Sequence, residues 1–482
     1  MAQKPKCIAA NSAKRSTRQT ARSRPTATPC AISSASFSRL VSFIFALVLV
    51  FVFRCHSEQS EGPLTAFAIT MKHELIHDWN TYTGAEIPVE RRVMLNDETL
   101  RDGLQNPSVH DPSISEKIEI LHLMESLGID TVNIGLPGAG PRAYADTEAL
   151  AREIVNARMK IRPNCAARTH QNDIKPIIEI SERVGMPIEA ATFIGSSPIR
   201  RLVEDWTVDH LQRTTEEAVK FAASAGLPVM YVTEDTIRTD PSTVITLYST
   251  AIRCGARAIV LCDTVGHATP RGAFNLVKFA IEEVVKPSGE TIRLDWHGHN
   301  DRGLAIANSL AAITAGADQV HAAALSLGER VGNTPMELML VNLRLLGLID
   351  RDLSTLKKYS RAVAQATHTE IPPNYPVVGR DAFRTATGVH AAAIVKAYKK
   401  NDHELANSIY SGVPSDLFGL EQVIEVGPLS GRSNVIFWLE KRGVPATDEL
   451  VDRIFNAAKQ SERILTEEEI LALLGSSTAR SN

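Results

Sequence analysis

The segment Arg293-Leu294-Asp295-Trp296-His297-Gly298-His299-Asn300-Asp301 decides how the chain is read. A short β-type run ends in a crowd of imidazole, amide and carboxylate groups. On a strand, residues i and i+2 point to the same side, so His297 and His299 can face one point, with Gly298 leaving room between them. Two neutral imidazoles so placed suit a divalent metal. A histidine pair at a strand end can also make ordinary hydrogen bonds, and the motif alone leaves both readings open.

The same arrangement recurs outward along the chain. Strand candidates fall at Arg92–Asn96, Thr131–Gly135, Lys160–Cys165, Ile188–Phe193, Val229–Val232, Ala258–Cys262, Arg293–His297 and Gln319–Ala322. Amphipathic stretches such as Ser113–Leu127 and Thr214–Ala225 lie between them, the first opening with a Ser113-x-Ser115-Glu116 N-cap signal. Eight alternations predict a (β/α)8 barrel, whereas a doubly wound sheet would have fewer strands. Polar residues gather where strands end, at Asn96-Asp97-Glu98, Glu234-Asp235, Asp263-Thr264 and His297–Asp301. In a parallel barrel those ends form the face where chemistry sits. After Asp350 the rhythm lapses, Pro372-Pro373-Asn374-Tyr375-Pro376 reads as a kinked linker, and a mostly helical region follows. The expected organisation is an extension over 1–70 outside the fold, a barrel over 71–350 and a linking module over 351–482.

Composition narrows the function. The 482 residues are 44% hydrophobic and 22% charged, which is globular and excludes wholesale disorder. The net charge of −3 conceals a basic N-terminus, since residues 1–70 hold nine Lys/Arg against Glu58 and Glu61. The remainder is acidic and gives no footing for nucleic acid. The apolar run Leu40–Phe53 is short for a membrane span and resembles a signal-peptide core. It reads as an export or anchor segment, or as an extension upstream of a start at Met71; the second reading is preferred, with a cytoplasmic enzyme and no membrane partner. Six cysteines without a C-x-x-C pair fit a reducing compartment.

Two further constellations could carry chemistry. Asp97-Glu98-Thr99-Leu100-Arg101-Asp102-Gly103-Leu104-Gln105 places carboxylates, a guanidinium and an amide in a turn after the first strand. A carboxylate there could complete a metal site, and Arg101 could stabilise charge on a carbonyl oxygen; alone, the segment also reads as a solvated turn. Gly328-Glu329-Arg330-Val331-Gly332-Asn333-Thr334, after the last strand, has glycines where a backbone approaches something closely. Gly138-Ala139-Gly140-Pro141-Arg142-Ala143 has the letters of a dinucleotide fingerprint, but no acidic residue ends the next strand to hold a ribose. There is no P-loop and no G-x-S-x-G.

Together, Glu98–Gly103, His297–Asp301 and Gly328–Asn333 resemble the signatures of a family of metal-dependent barrel enzymes. That family contains 2-isopropylmalate, homocitrate, Re-type citrate and citramalate synthases and hydroxymethylglutaryl-CoA lyase. Asp263-Thr264-Val265-Gly266 resembles its sixth strand end, and Thr387-Gly388-Val389-His390 the synthases' C-terminal motif. The resemblance implies a divalent ion (Mg, Mn or Zn) held by Asp102, His297 and His299, with Asn333 as a further ligand. It makes Arg101, Glu234, His390 and Tyr410 catalytic, and Arg168, Thr264 and Gln105 substrate-binding. It also implies a homodimer in which His390 reaches over a partner's barrel.

The implied reaction is a Claisen-type condensation of acetyl-CoA with a 2-oxo acid, followed by thioester hydrolysis. The acceptor would be 3-methyl-2-oxobutanoate, in leucine biosynthesis, with 2-oxoglutarate as the alternative. Leu104 stands where the synthases have Glu, and Arg200 where isopropylmalate synthases commonly have His. From another class, a catalytically silent, membrane-tethered binding protein would leave the metal motif vestigial.

Overall fold

In the computed structural model the residues described are Ile76, His77, Trp79 and 92–475. The readings made for residues 1–70 lie outside them. The chain divides into two units, 1–83 and 84–482. In the first, His77 lies edge-on to Trp79 with ring centroids 4.6 Å apart.

The second unit holds eight parallel strands in a closed barrel: β1 Met94–Asp97, β2 Thr131–Asn133, β3 Arg162–Arg168, β4 Glu189–Gly195, β5 Val229–Glu234, β6 Ala258–Asp263, β7 Arg293–Gly298 and β8 Gln319–Ala322. β8 closes on β1 with His321 paired to Asn96, and pairs on its other side with β7, His321 opposite His297. The expected (β/α)8 barrel is therefore present. β3 starts later than the sequence suggests, because the amides of Lys160 and Ile161 are taken by the Glu125 carboxylate at 2.8 and 2.9 Å rather than by the sheet. It then runs on through Ala166 and Ala167, paired with Ala191 and Thr192 of β4.

The helices that cover the strands are capped as their sequences dictate. α1 (Ile114–Ser126) begins with a capping box in which the Ser113 hydroxyl accepts from the Glu116 amide and the Glu116 carboxylate accepts from the Ser113 amide. Side chains that alternate outward from the strands form the main core with the helices, Trp296 and Tyr231 among the fully buried. The barrel interior divides in two. β4, β5 and β6 contribute the apolar cluster Ala191, Met230, Ala258, Val260 and Cys262. On the other side Asn96 Oδ1 accepts from Thr131 Oγ1 (2.7 Å) and Asn164 Nδ2 (2.6 Å).

The residues after Asp350 do not leave the barrel at once. A helix at Leu356–Ala366 lies against α1 and gives Leu356, Tyr359 and Val363 to the main core, which extends to Phe383 and Phe418. Separate small cores follow, one around Ala391, Ile394 and Ile424 and one around Val435, Trp438 and Ile454. Among the described residues no helix is long and apolar enough to cross a membrane.

Tyr359 ties the first of these helices to the end of β1. Its hydroxyl donates to Asp97 Oδ2 at 2.5 Å, and the Thr99 amide donates to the same carboxyl at 2.8 Å. Burial pushes the Asp97 carboxyl up to about 6 despite these donors. Tyr359→Phe leaves a buried acceptor short of one donor, which costs about 1–3 kcal/mol. Urea unfolding of the variant should show a lower midpoint with an unchanged slope.

Candidate active site

At the carboxyl ends of β1 and β7 three ligand-type atoms converge. His297 Nε2 lies 3.3 Å from His299 Nε2, and each lies 3.5 Å from Asp102 Oδ2. His297 points inward from β7; His299 lies just past the strand, where its backbone bridges to Asn333 and its amide donates to the Asp263 carbonyl at 3.1 Å. Gly298 has a purpose the spacing argument did not reach, since a Cβ there would meet the Trp296 indole nitrogen at 2.9 Å.

The electrostatics keep these atoms available. Burial and the neighbouring His297 push His299 down to about 4, so its imidazole is neutral at ordinary pH. Burial opposes ionisation of Asp102, but Arg101 and the two imidazoles outweigh it and hold the carboxyl well below the usual range. Asp102 Oδ2, His299 Nδ1, Asn333 Oδ1 and Arg101 Nε are all buried without a hydrogen-bond partner. Such atoms are costly to leave unmatched. Donors spaced 3.3–3.5 Å apart are spaced as ligands of one ion with bonds of about 2.1 Å would be. The donor set fits a divalent cation.

Asn333 is presented by the loop after β8. Its Nδ2 donates to the Leu327 carbonyl at 2.9 Å, which fixes the amide and leaves Oδ1 unpartnered. Gly332, at φ +84°, cannot carry a side chain, because a Cβ would fall 1.5 Å from the Ser326 carbonyl oxygen. A Cβ at Gly328 would fall 2.2 Å from Asn333 Nδ2. The close approach expected of this loop is to itself and to Asn333.

Glu98, His297 and His321 also cluster closely enough to suggest a metal group. His321, however, lies between two carboxylates, Nδ1 3.2 Å from Glu98 and Nε2 3.3 Å from Asp295. Against the opposing effect of burial, these partners push it up to about 9, so both nitrogens carry protons and neither is a ligand. Glu98 is held down at about 2 by Arg101 and His321, against burial. Sequence reasoning named Glu98 only as part of the Glu98–Gly103 motif, without a role of its own, and missed His321 and Asp295. The only signal was that His321 repeats the inward phase of Gln319 on a short strand.

A cavity of about 200 Å³ opens above these groups. Arg101, Asp102, Gln105, Glu234, Thr264, His297 and His299 line it together, as do Glu329 and Arg330. Burial lifts the Glu234 carboxyl above its usual range, with Arg200 and Arg101 acting the other way. Thr264 Oγ1 accepts from the Asp235 amide at 2.8 Å. Arg168 does not line this cavity. It is exposed, paired bidentately with Asp173 (2.7 and 2.9 Å), and borders a second cavity of about 420 Å³ that also contains Arg200. His390 and Tyr410 are not in the lining either. They stack on each other, centroids 4.0 Å apart and planes 21° apart, and both are exposed.

Residues 92–363, more than half of the chain, match the HMGL-like family. The chain belongs to the HMGL-like family. The 2-isopropylmalate synthase of Halalkalibacterium halodurans is 32% identical over 400 residues, covering 80% of this chain and 74% of the relative. That of Pyrococcus furiosus is 31% identical over 397 residues, 80% and 76% of the two chains. The homocitrate synthase AksA of Methanopyrus kandleri is 31% identical over 381 residues, 78% and 89%. The family expected from the three motifs is thus the one found, and an acyltransferase of the 2-isopropylmalate synthase type agrees with the HMGL-like relatives.

Replacing both His297 and His299 by Ala should leave a folded barrel, since both sit at the strand end. Mn²⁺ affinity, read by isothermal titration calorimetry, should fall by more than the ~10–100-fold that loss of an outer-shell partner costs.

Proposed function

We propose that this protein condenses acetyl-CoA with 3-methyl-2-oxobutanoate and hydrolyses the thioester, giving 2-isopropylmalate and CoA. Its place would be leucine biosynthesis in the cytoplasm. The observation that carries the choice of acceptor is the wall of the cavity. Phe193 of β4, Met230 and Val232 of β5 and Val260 of β6 form an apolar surface, across the barrel from β8 and β1. A branched alkyl group is at home there; a second carboxylate would be buried without a partner. Of the cations in the lining, Arg330 is committed to Asp301 and the Thr264 carbonyl, Arg101 to Glu98, and His321 to Glu98 and Asp295. Arg168 and Arg200 are not in the lining.

Asp102, His297, His299 and Asn333 would hold the divalent ion. When bound, it supplies Lewis-acid polarisation of the acceptor carbonyl. Arg101, with its unpartnered Nε, offers a preorganised donor to the oxygen that gains charge as the carbon–carbon bond forms. The Thr264 hydroxyl, already accepting from Asp235, has its proton free for the acceptor carboxylate, and Gln105 adds an amide beside it. Glu234 carries a proton more readily than an ordinary glutamate and serves with His390 and Tyr410 in moving protons from the acetyl methyl and to the new hydroxyl. A substrate contact by Arg168 would be to the part of acetyl-CoA beyond the acyl group, where the second cavity shares Phe193 and Glu234 with the first.

The exposed His390–Tyr410 pair supports a homodimer in which each copy completes the other's cavity; Val389, beside it, is 71% exposed. Arg101→Ala and His390→Ala proteins should each be inactive alone. After mixing and exchange of subunits they should regain activity, because a mixed dimer has one whole site. No recovery between variants that demonstrably exchange would contradict the shared site.

CoA release across a panel of 2-oxo acids with Mg²⁺ or Mn²⁺ tests the acceptor. Turnover should be highest with 3-methyl-2-oxobutanoate. Preference for 2-oxoglutarate would make the protein a homocitrate synthase, and silence with every acid would remove the condensing reading.

A further inference from the structure

A row of alternating charges runs through the barrel from the amino ends of the strands to the cavity, and the proposed chemistry leaves most of it unused. Arg293 Nη2 lies 2.9 Å from Glu189, its Nε 3.0 Å from Asp295, and Asp295 3.3 Å from His321 Nε2. His321 Nδ1 lies 3.2 Å from Glu98 Oε1, and Glu98 Oε2 pairs with Arg101 Nη2. Asp295, His321 and Glu98 are each at most 3% exposed. Barrel interiors are ordinarily filled with branched apolar side chains, and buried ions persist only where paired.

The row ends in a clamp. Glu98 Oε1 accepts from two donors, His321 and Asn96 Nδ2 (2.7 Å), so the direction of Oε2 is fixed, and with it the guanidinium of Arg101. That guanidinium keeps one buried, unused donor, Nε. The His321 ring borders the cavity, but both of its nitrogens are engaged, so it has no donor left for a substrate.

We infer that His321, backed by Asp295, is a positioning residue: it orients Glu98, which holds Arg101 where the reacting oxygen gains charge. The inference rests on the role proposed above for Arg101.

The test is the charge-balanced double variant His321→Gln/Asp295→Asn, since either single change strands a buried charge. Mn²⁺ affinity and KM for 3-methyl-2-oxobutanoate should hold within about threefold while kcat falls about ten- to hundredfold. In parallel, NMR of arginine-labelled protein should show a slowly exchanging Nε–H signal, assigned by its loss in Arg101→Lys, that disappears in the double variant. A folded double variant with wild-type kcat and an intact Arg101 signal would overturn the inference. So would a parallel fall in Mn²⁺ affinity, or failure to fold, either of which makes the row a brace for the site as a whole. If wild-type protein turns over no 2-oxo acid, the condensing reading fails, and the Arg101 signal still decides the positioning.

Discussion

Three ligand-type atoms, His297 Nε2, His299 Nε2 and Asp102 Oδ2, held within 3.5 Å of one another are the constraint on which the rest of this structure depends. The His299 imidazole and the Asp102 carboxylate are both held in the form that presents lone pairs, and lone pairs so close repel. A divalent cation bound between them would remove that cost. The barrel imposes the approach, because β8 brings β7 and β1 to either side of it, and the residues after β1 then fall beside those that end β7. The loop after β8 adds Asn333 through two glycines whose missing side chains are what let it fold back.

The division of the interior follows from this. On the β7–β8–β1 side the interior is polar: Arg293, Asp295, His321, Glu98 and Arg101 pair in turn, and the unpartnered atoms gather at the cavity end, on Asp102, His299, Asn333 and Arg101. On the β4–β6 side the lining is apolar. The cavity lies where the two halves meet, with groups that suit an oxo-acid head on one side and a surface that suits a hydrocarbon tail on the other. On the proposed reading, acceptor choice and charge handling would be built on different strands. Substitutions in Met230 or Val260 would then act on the first and substitutions in Arg101 or Glu98 on the second.

Much of this was legible in the sequence. Strand period and polar strand ends predicted the barrel and the face that bears the site, and i, i+2 spacing predicted that His297 and His299 converge. Asp102 was legible only with the motif around it, because nothing in a charged turn distinguishes a buried carboxylate from a solvated one. His321 and Asp295 were not legible, since their pairing depends on the register between β7 and β8, which a sequence does not print. Arg168 was placed at the right strand end, but the next helix supplies Asp173 to hold it away from the cavity. The stacking of His390 on Tyr410 brings together residues whose separation in the chain carries no periodic signal.

The proposed site would hold the ion on His297 and His299 and not on His321. Electron spin echo modulation of Mn²⁺-loaded protein reads nitrogen nuclei bound to the metal directly. Imidazole couplings should be present in wild type, reduced by His299→Ala, abolished when His297 is replaced as well, and unchanged by the double change His321→Gln/Asp295→Asn. Couplings that survive the loss of His297 and His299, or that vanish with His321, would place the ion on the wrong cluster and contradict the account.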